Sequence, residues 1–265
     1  GKAAAVLLVS SRLTVPASAA DFIWDPAGDQ SGSGGAGTWD TTSLFWDDDA
    51  SAPNVAWPDL NTSVAIFGGT GGLVTINTGA GVTANGLVFN TTGYTIAGNV
   101  AADVLTLAGT TPTITVTTAG DTATVSAIIA GTTLTKAGAG TLVLSGANTY
   151  TGQTAINGGI LSISASGNLG DGSATNTISL DGGTLRSTAT LDLTTNRAIA
   201  VGAGGGTLSA QTATTLTVSG ALSGTDALTA AGGGTIVLSA DNSGSGFSGD
   251  VTVTSVSGDT TNTTL

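Results

Sequence analysis

Few side chains in this sequence can take part in a reaction. All 17 acidic residues are Asp, and His, Cys and Met are absent. With no His, nothing titrates near neutrality by default, and with no Cys there is neither a thiolate nor a disulfide. What remains is carboxylate chemistry. Asp171, Asp181 and Asp192 recur at nearly equal intervals, with Arg186 and Arg197 close by in the chain. Facing one groove, they could carry acid–base cleavage of a polysaccharide. Against this, Asp181-Gly182-Gly183 reads as a turn, and two basic groups are few for stabilising an anionic transition state. Asp47-Asp48-Asp49 offers the oxygen ligands that Ca2+ takes, but it lacks the alternating acidic spacing and closing bidentate Glu of a dedicated loop. A solvated turn is the simpler reading. The expectation is a protein that is not an enzyme and holds no metal and no cofactor.

The second cluster with chemical potential is aromatic. Trp24, Trp39, Trp46 and Trp57 all fall within residues 21–68, together with Phe22, Phe45 and Phe67 and a run of Asp. Two readings stay open. Aromatics this concentrated can close one end of a core; alternatively, Trp24, Trp39 and Trp46 beside carboxylates could stack on sugars as a glycan-binding surface. Polyanions are excluded as partners: the net charge is −12, and Lys2, Arg12, Lys136, Arg186 and Arg197 are scattered, so nucleic acid has no basic patch to meet.

The elements that must position these residues are strands. Gly occurs 42 times and only 8% of residues are charged, while Glu and Met are missing and Lys and Arg are rare, so long solvated helices lack material. No apolar run reaches the ~20 residues of a membrane span. From Val64 onward, short alternating runs recur, such as Leu73-Val74-Thr75-Ile76, Thr113-Ile114-Thr115-Val116 and Thr141-Leu142-Val143-Leu144, at roughly 10–12-residue spacing. Each is too short to stand alone. An antiparallel sandwich and a coil of stacked rungs both fit; Asn85-Gly86 and Asn157-Gly158 are hairpin-like pairs that favour the sandwich. Internal similarity favours the coil. Leu134–Ser145 matches Leu228–Ser239 without a gap, each residue 94 positions after its counterpart, and units that cannot bury their own apolar face stack on neighbours.

Ahead of the aromatic zone, Lys2 to Ala19 has the apolar centre and small-residue close of a secretory signal. It also reads as a strand, with Leu7, Val9, Leu13 and Val15 on one face and Pro16 as its end. The absence of Cys fits secretion and a reducing compartment equally.

The segment Leu134-Thr-Lys-Ala-Gly-Ala-Gly-Thr-Leu-Val-Leu-Ser-Gly-Ala-Asn-Thr-Tyr-Thr-Gly, continuing to Gly159-Ile160-Leu161, resembles the autotransporter-associated β-strand repeat, also called the passenger-associated transport repeat. The copy from Leu228 keeps Gly-Gly-Gly-Thr-Ile-Val-Leu-Ser but replaces the Asn-Thr-Tyr-Thr-Gly block, so it is degenerate. The resemblance implies a right-handed parallel β-helix, secreted to the surface of a bacterium, without enzyme activity. The expected organisation is an extension strand over 1–20, a Trp/Asp-rich cap over 21–68 and β-helix rungs over 69–265. Family passengers are followed by a membrane barrel, and no barrel-like strands precede Leu265, which suggests a free-standing coil. Such a coil presents open strand edges at its ends. The leading functional expectation is therefore a homopolymer, an extracellular filament growing head to tail with Leu7, Val9, Leu13 and Val15 donated to the next copy. The alternative is a surface adhesin or glycan-binding β-helix whose partner is a surface polysaccharide.

Overall fold

The computed structural model describes residues 21–29, 32–48, 53–240 and 246–254. The strand expected at Leu7, Val9, Leu13 and Val15 lies outside these residues, as does Asp49.

The short alternating runs form a parallel β-solenoid. Two ten-stranded sheets run its length, and a third face carries two three-stranded stacks. About eight turns lie between Val64–Phe67 and Thr235–Leu238. The turns differ in length: Thr141 meets Ile160 on the next rung, whereas Tyr94 meets Ala123, a path half as long again. The only helical element among the described residues is the 3-10 turn Ser166–Leu169. The sandwich alternative fails because neighbouring strands pair in parallel. Asn85-Gly86 and Asn157-Gly158 sit at corners where the chain passes between sheets, not in hairpins.

Alternation in the strands sets what faces inward. In the second sheet Ala123, Leu142, Leu161, Leu185, Leu208 and Ala230 stack in register along the interior. Immediately before them on their strands, Thr122, Thr141, Ile160, Thr184, Thr207 and Thr229 form an outward ladder. The β-branched side chains suit that pleated surface, while each interior residue is shielded by its neighbours one rung above and below. The same logic stacks the rings of Phe67 and Phe89 at 5.0 Å and 15°.

The aromatic zone is not set apart from the coil. Asp21–Trp24 is the outermost parallel strand of the first sheet, against Val64–Phe67, and Gly37–Trp39 opens the second sheet against Leu73–Ile76. The chain then reverses. Trp46–Asp47 pairs antiparallel with Ile23 and Trp24, and Trp46 exchanges backbone hydrogen bonds of 3.1 and 2.7 Å with Val55. An antiparallel strand laid on the last parallel one covers an edge that would otherwise template further pairing. Beneath it the four Trp rings pack on one another, Trp46 lying 4.7 Å from Trp57 and 5.1 Å from Trp39.

Candidate functional site

The most chemically dense part of the coil is a gap in its third face. On the rungs that begin with Leu134–Ala137 and Thr154–Ile156 no strand forms there, between the stack ending at Ile129–Gly131 and the one starting at Leu191–Asp192. Backbone groups that a ladder would satisfy need other partners, and buried amides supply them. Asn148 Oδ1 accepts from the Ile129 amide at 2.8 Å, and its Nδ2 donates to the Asn168 carbonyl at 2.6 Å. Asn168 Nδ2 donates to the Gly146 carbonyl at 2.9 Å, and Asn176 Nδ2 to that of Gly152 at 2.7 Å. Tyr150 fills the space behind them, its hydroxyl 2.7 Å from Thr154 Oγ1. Burial raises its pKa.

Arg197 closes this column, only 1% exposed. Its guanidinium donates to the carbonyls of Leu169 (2.7 Å), Ser166 (2.9 Å) and Gly170 (3.3 Å), to Ser166 Oγ and to Asn176 Oδ1. Burial lowers its pKa, with Tyr150 and Asp171 acting in the opposite direction. Lys136 is a second enclosed cation. The alternation that turns Leu134 inward also turns Lys136 inward, between Ile114 and Ile156 of adjacent rungs. Its Nζ bends to the corner, donating to the carbonyls of Ala137 (2.7 Å), Gly138 (2.9 Å) and Gly158 (3.2 Å). With three dipoles but no carboxylate on it, desolvation pulls its pKa down to about 8.

The carboxylates singled out in the sequence are tied to local turns. Asp171 accepts from the amide and hydroxyl of Ser173, Asp181 from the Gly204 amide at 2.6 Å, and Asp192 from the Thr194 amide and Ser219 Oγ. Asp181 and Asp192 thereby link one rung to the next, as does Asp103, which takes the amides of Thr78 and Gly79 in the neighbouring turn. Burial works to raise the Asp103 pKa, but these amides and that of Val100 outweigh it and hold the carboxyl below its ordinary value. A short side chain reaching a nearby amide is the task Asp performs better than Glu.

The glycan reading of the aromatic zone needs correction. Trp24, Trp39 and Trp46 are each 0% exposed, so none offers a ring face to a sugar. Their large apolar surface is spent on sealing the coil's end. Trp24 Nε1 donates to the Gly35 carbonyl and Trp57 Nε1 to that of Thr83, both at 2.9 Å. Asp47 and Asp48 are partnered within the protein, and among the described residues no group of three potential ligands gathers to hold a metal ion. Asn148, Asn168, Asn176 and Arg197 were not evident as a unit in the sequence, since they come from well-separated stretches of chain, and neither was the separate enclosure of Lys136. The usable signal was the inward phase of Lys136 and the Asn-Thr-Tyr block beside it.

A family model described as the passenger-associated transport repeat matches residues 134–163 and 228–255. The chain therefore carries two copies of this repeat. It is also 41% identical over 179 residues to the adhesin BmaC autotransporter of Brucella suis biovar 1 (strain 1330). That stretch is 66% of this chain and 5% of the relative, so the chain spans about a twentieth of the protein it matches. No solved structure matches it. The repeats and this relative place the chain among secreted, bacterial cell-surface proteins. Where the sequence ends therefore carries no information about anchoring, and the expectation of a free-standing coil is withdrawn.

The two repeats occupy different faces. In the first, Leu134–Ala137 lies in the first sheet and Thr141–Leu144 in the second; in the other, Leu228–Gly232 lies in the second and Thr235–Leu238 in the third. What they share is a corner. Gly138 and Gly232 hold φ of 76° and 94°, and a Cβ on either would stand 2.2 Å from a carbonyl oxygen, of Val116 and Ala210 respectively. Gly140 and Gly234 then donate their amides to those same carbonyls, at 2.9 and 3.1 Å. Where the first repeat has the buried Lys136, the second has Ala230.

Proposed function

We propose that this chain is an adhesive segment of a surface-exported β-helical passenger, a stiff coil that presents its outer faces to a partner and performs no catalysis. The 41% identity with an adhesin over 179 residues carries the reading. It is supported by the engagement of Asp171, Asp181 and Asp192 in structural turns, and by an outward surface of Thr, Ser and Ala ladders suited to polar contact. A surface polysaccharide is the partner class such a surface fits best. Filament growth by strand donation has no observation in its favour, because Leu7, Val9, Leu13 and Val15 lie outside the described residues and the aromatic end covers the first sheet's edge.

The test is attachment. Inert beads coated with the folded chain should adhere to cultured animal cells several-fold more than albumin-coated beads, and heat-unfolded protein should lose the difference. Equal attachment of folded-chain and albumin beads would overturn the reading.

A further inference from the structure

One groove on the outer surface differs from the rest of the coil. It lies where the chain bends from the second sheet to the third face, and encloses about 400 Å³ between Arg186, Thr188, Ser209, Gln211, Thr212 and Gly233. A hollow of about 370 Å³ continues it, sharing Thr212 and Gly233 and passing Ala213. The first hollow is at the small end of the range for ligand pockets. Hydroxyls, an amide and glycine backbone line it, with no apolar side chain larger than Ala.

Arg186 is the group that gives this groove a charge. It stands in an outward row of the second sheet, in register between Ser162 and Ser209. Its Nη2 reaches Ser162 Oγ at 3.4 Å, while Nε is buried with no hydrogen-bond partner. Lys136 and Arg197 are enclosed, so among the described residues Arg186 is the one basic side chain at the surface. Buried Nε is out of reach of a ligand in the groove, and it is the terminal N–H groups of the planar guanidinium that suit a carboxylate. The wall beside it is also strained, since Ala213 holds φ at +63°, where a Cβ is disfavoured. Arg186 lines the first hollow and Ala213 the second, and the two hollows share Thr212 and Gly233, so both features fall along one groove.

We propose that this groove binds an acidic sugar, with its carboxylate on the Arg186 guanidinium and its ring hydroxyls on Ser209, Thr188 and Gln211. The inference rests on the adhesive reading and specifies its ligand. The polar lining suits a polyhydroxyl ring, whereas an acidic peptide would leave its side chains without apolar contact. The net charge of −12 repels heavily charged polymers at long range, so the ligand bears a single carboxylate, as a uronate or a terminal sialate does.

Titrations of the folded chain with sodium glucuronate, N-acetylneuraminate, glucose and an acetylated aspartyl peptide test this. At least one acidic sugar should bind saturably, glucose at least tenfold more weakly. Arg186→Gln should lose at least tenfold in affinity for that sugar with an unchanged or higher melting temperature, and Arg186→Lys, which keeps the charge but loses the fork, should fall between. Failure of both acidic sugars to bind, equal binding by Arg186→Gln, or binding of the peptide in place of the sugars would overturn the proposal. Bead attachment separates the two readings. If beads adhere but neither sugar binds, the groove assignment alone falls; if a sugar binds through Arg186 but beads do not adhere, the adhesive reading falls and the groove stands.

Discussion

The aromatic end and the gap in the third face both interrupt a regular coil, and they solve opposite problems. At the end, apolar interior would be left without a next rung to cover it, and four Trp rings with Phe67 supply bulk. In the middle the interior is covered from both sides, but the regular ladder thins to a few rung-to-rung backbone bonds, and Asn148, Asn168, Asn176 and Arg197 supply further donors and acceptors. The end is therefore tolerant of geometry and sensitive to volume. The gap is tolerant of volume and sensitive to geometry.

The sharpest way to break this contrast is at Trp46, which touches Trp24, Trp39, Trp57 and Phe67. Trp46→Ala should cost about 4 kcal/mol, and because each rung leans mainly on its neighbours, hydrogen exchange should accelerate across Asp21–Ile76 while the rungs after Leu134 keep their protection. Uniform acceleration would show that the end is coupled to the whole coil. Arg197→Met, nearly isosteric along its stem, should cost about 3 kcal/mol by leaving the carbonyls of Ser166, Leu169 and Gly170 unpaired, with exchange rising over 146–197. Arg197→Lys should recover only part of that loss, because an ammonium cannot span the same carbonyls. If Met is tolerated as well as Lys, volume rather than hydrogen bonding governs the gap.

The smallest effect is a pH dependence at Lys136. Its folded pKa of about 8 lies below the ordinary value of 10.5, so between those limits the unfolded chain holds a proton that the folded chain has released, and stability rises with pH. Relative to Lys136→Met, and allowing for solvent screening at the corner, the parent should gain on the order of 2 kcal/mol across that window in denaturant titrations. A parallel pH response in the two proteins would mean that the carbonyl cage compensates fully for burial.

Much of the coil was legible because the side chains that form it obey a two-residue period. Thr141-Leu142-Val143-Leu144 announces an outward and an inward face, and the structure keeps both. The aromatic cap was legible as an alternative, because clustering distinguishes bulk from scatter but does not say whether a ring is covered; only the packing of Trp46–Asp47 against Asp21–Trp24 decides that. The gap was not legible. Its members come from separate rungs, and turns as unequal as Thr141 to Ile160 and Tyr94 to Ala123 hide which positions share a level. Lys136 lies on the inward phase of an alternating run, where a charge is unexpected, and the corner's carbonyls make the interior acceptable.

The shared corner of the two repeats has a consequence for how such a chain is read from outside. Four rungs carry the chain from Thr135 to Ser223, a span of 88 positions, and the repeat recurs after 94, so the second copy has advanced beyond a whole number of turns and lies on the next face. A passenger lengthened by copying this corner distributes the copies around its axis instead of aligning them along one side.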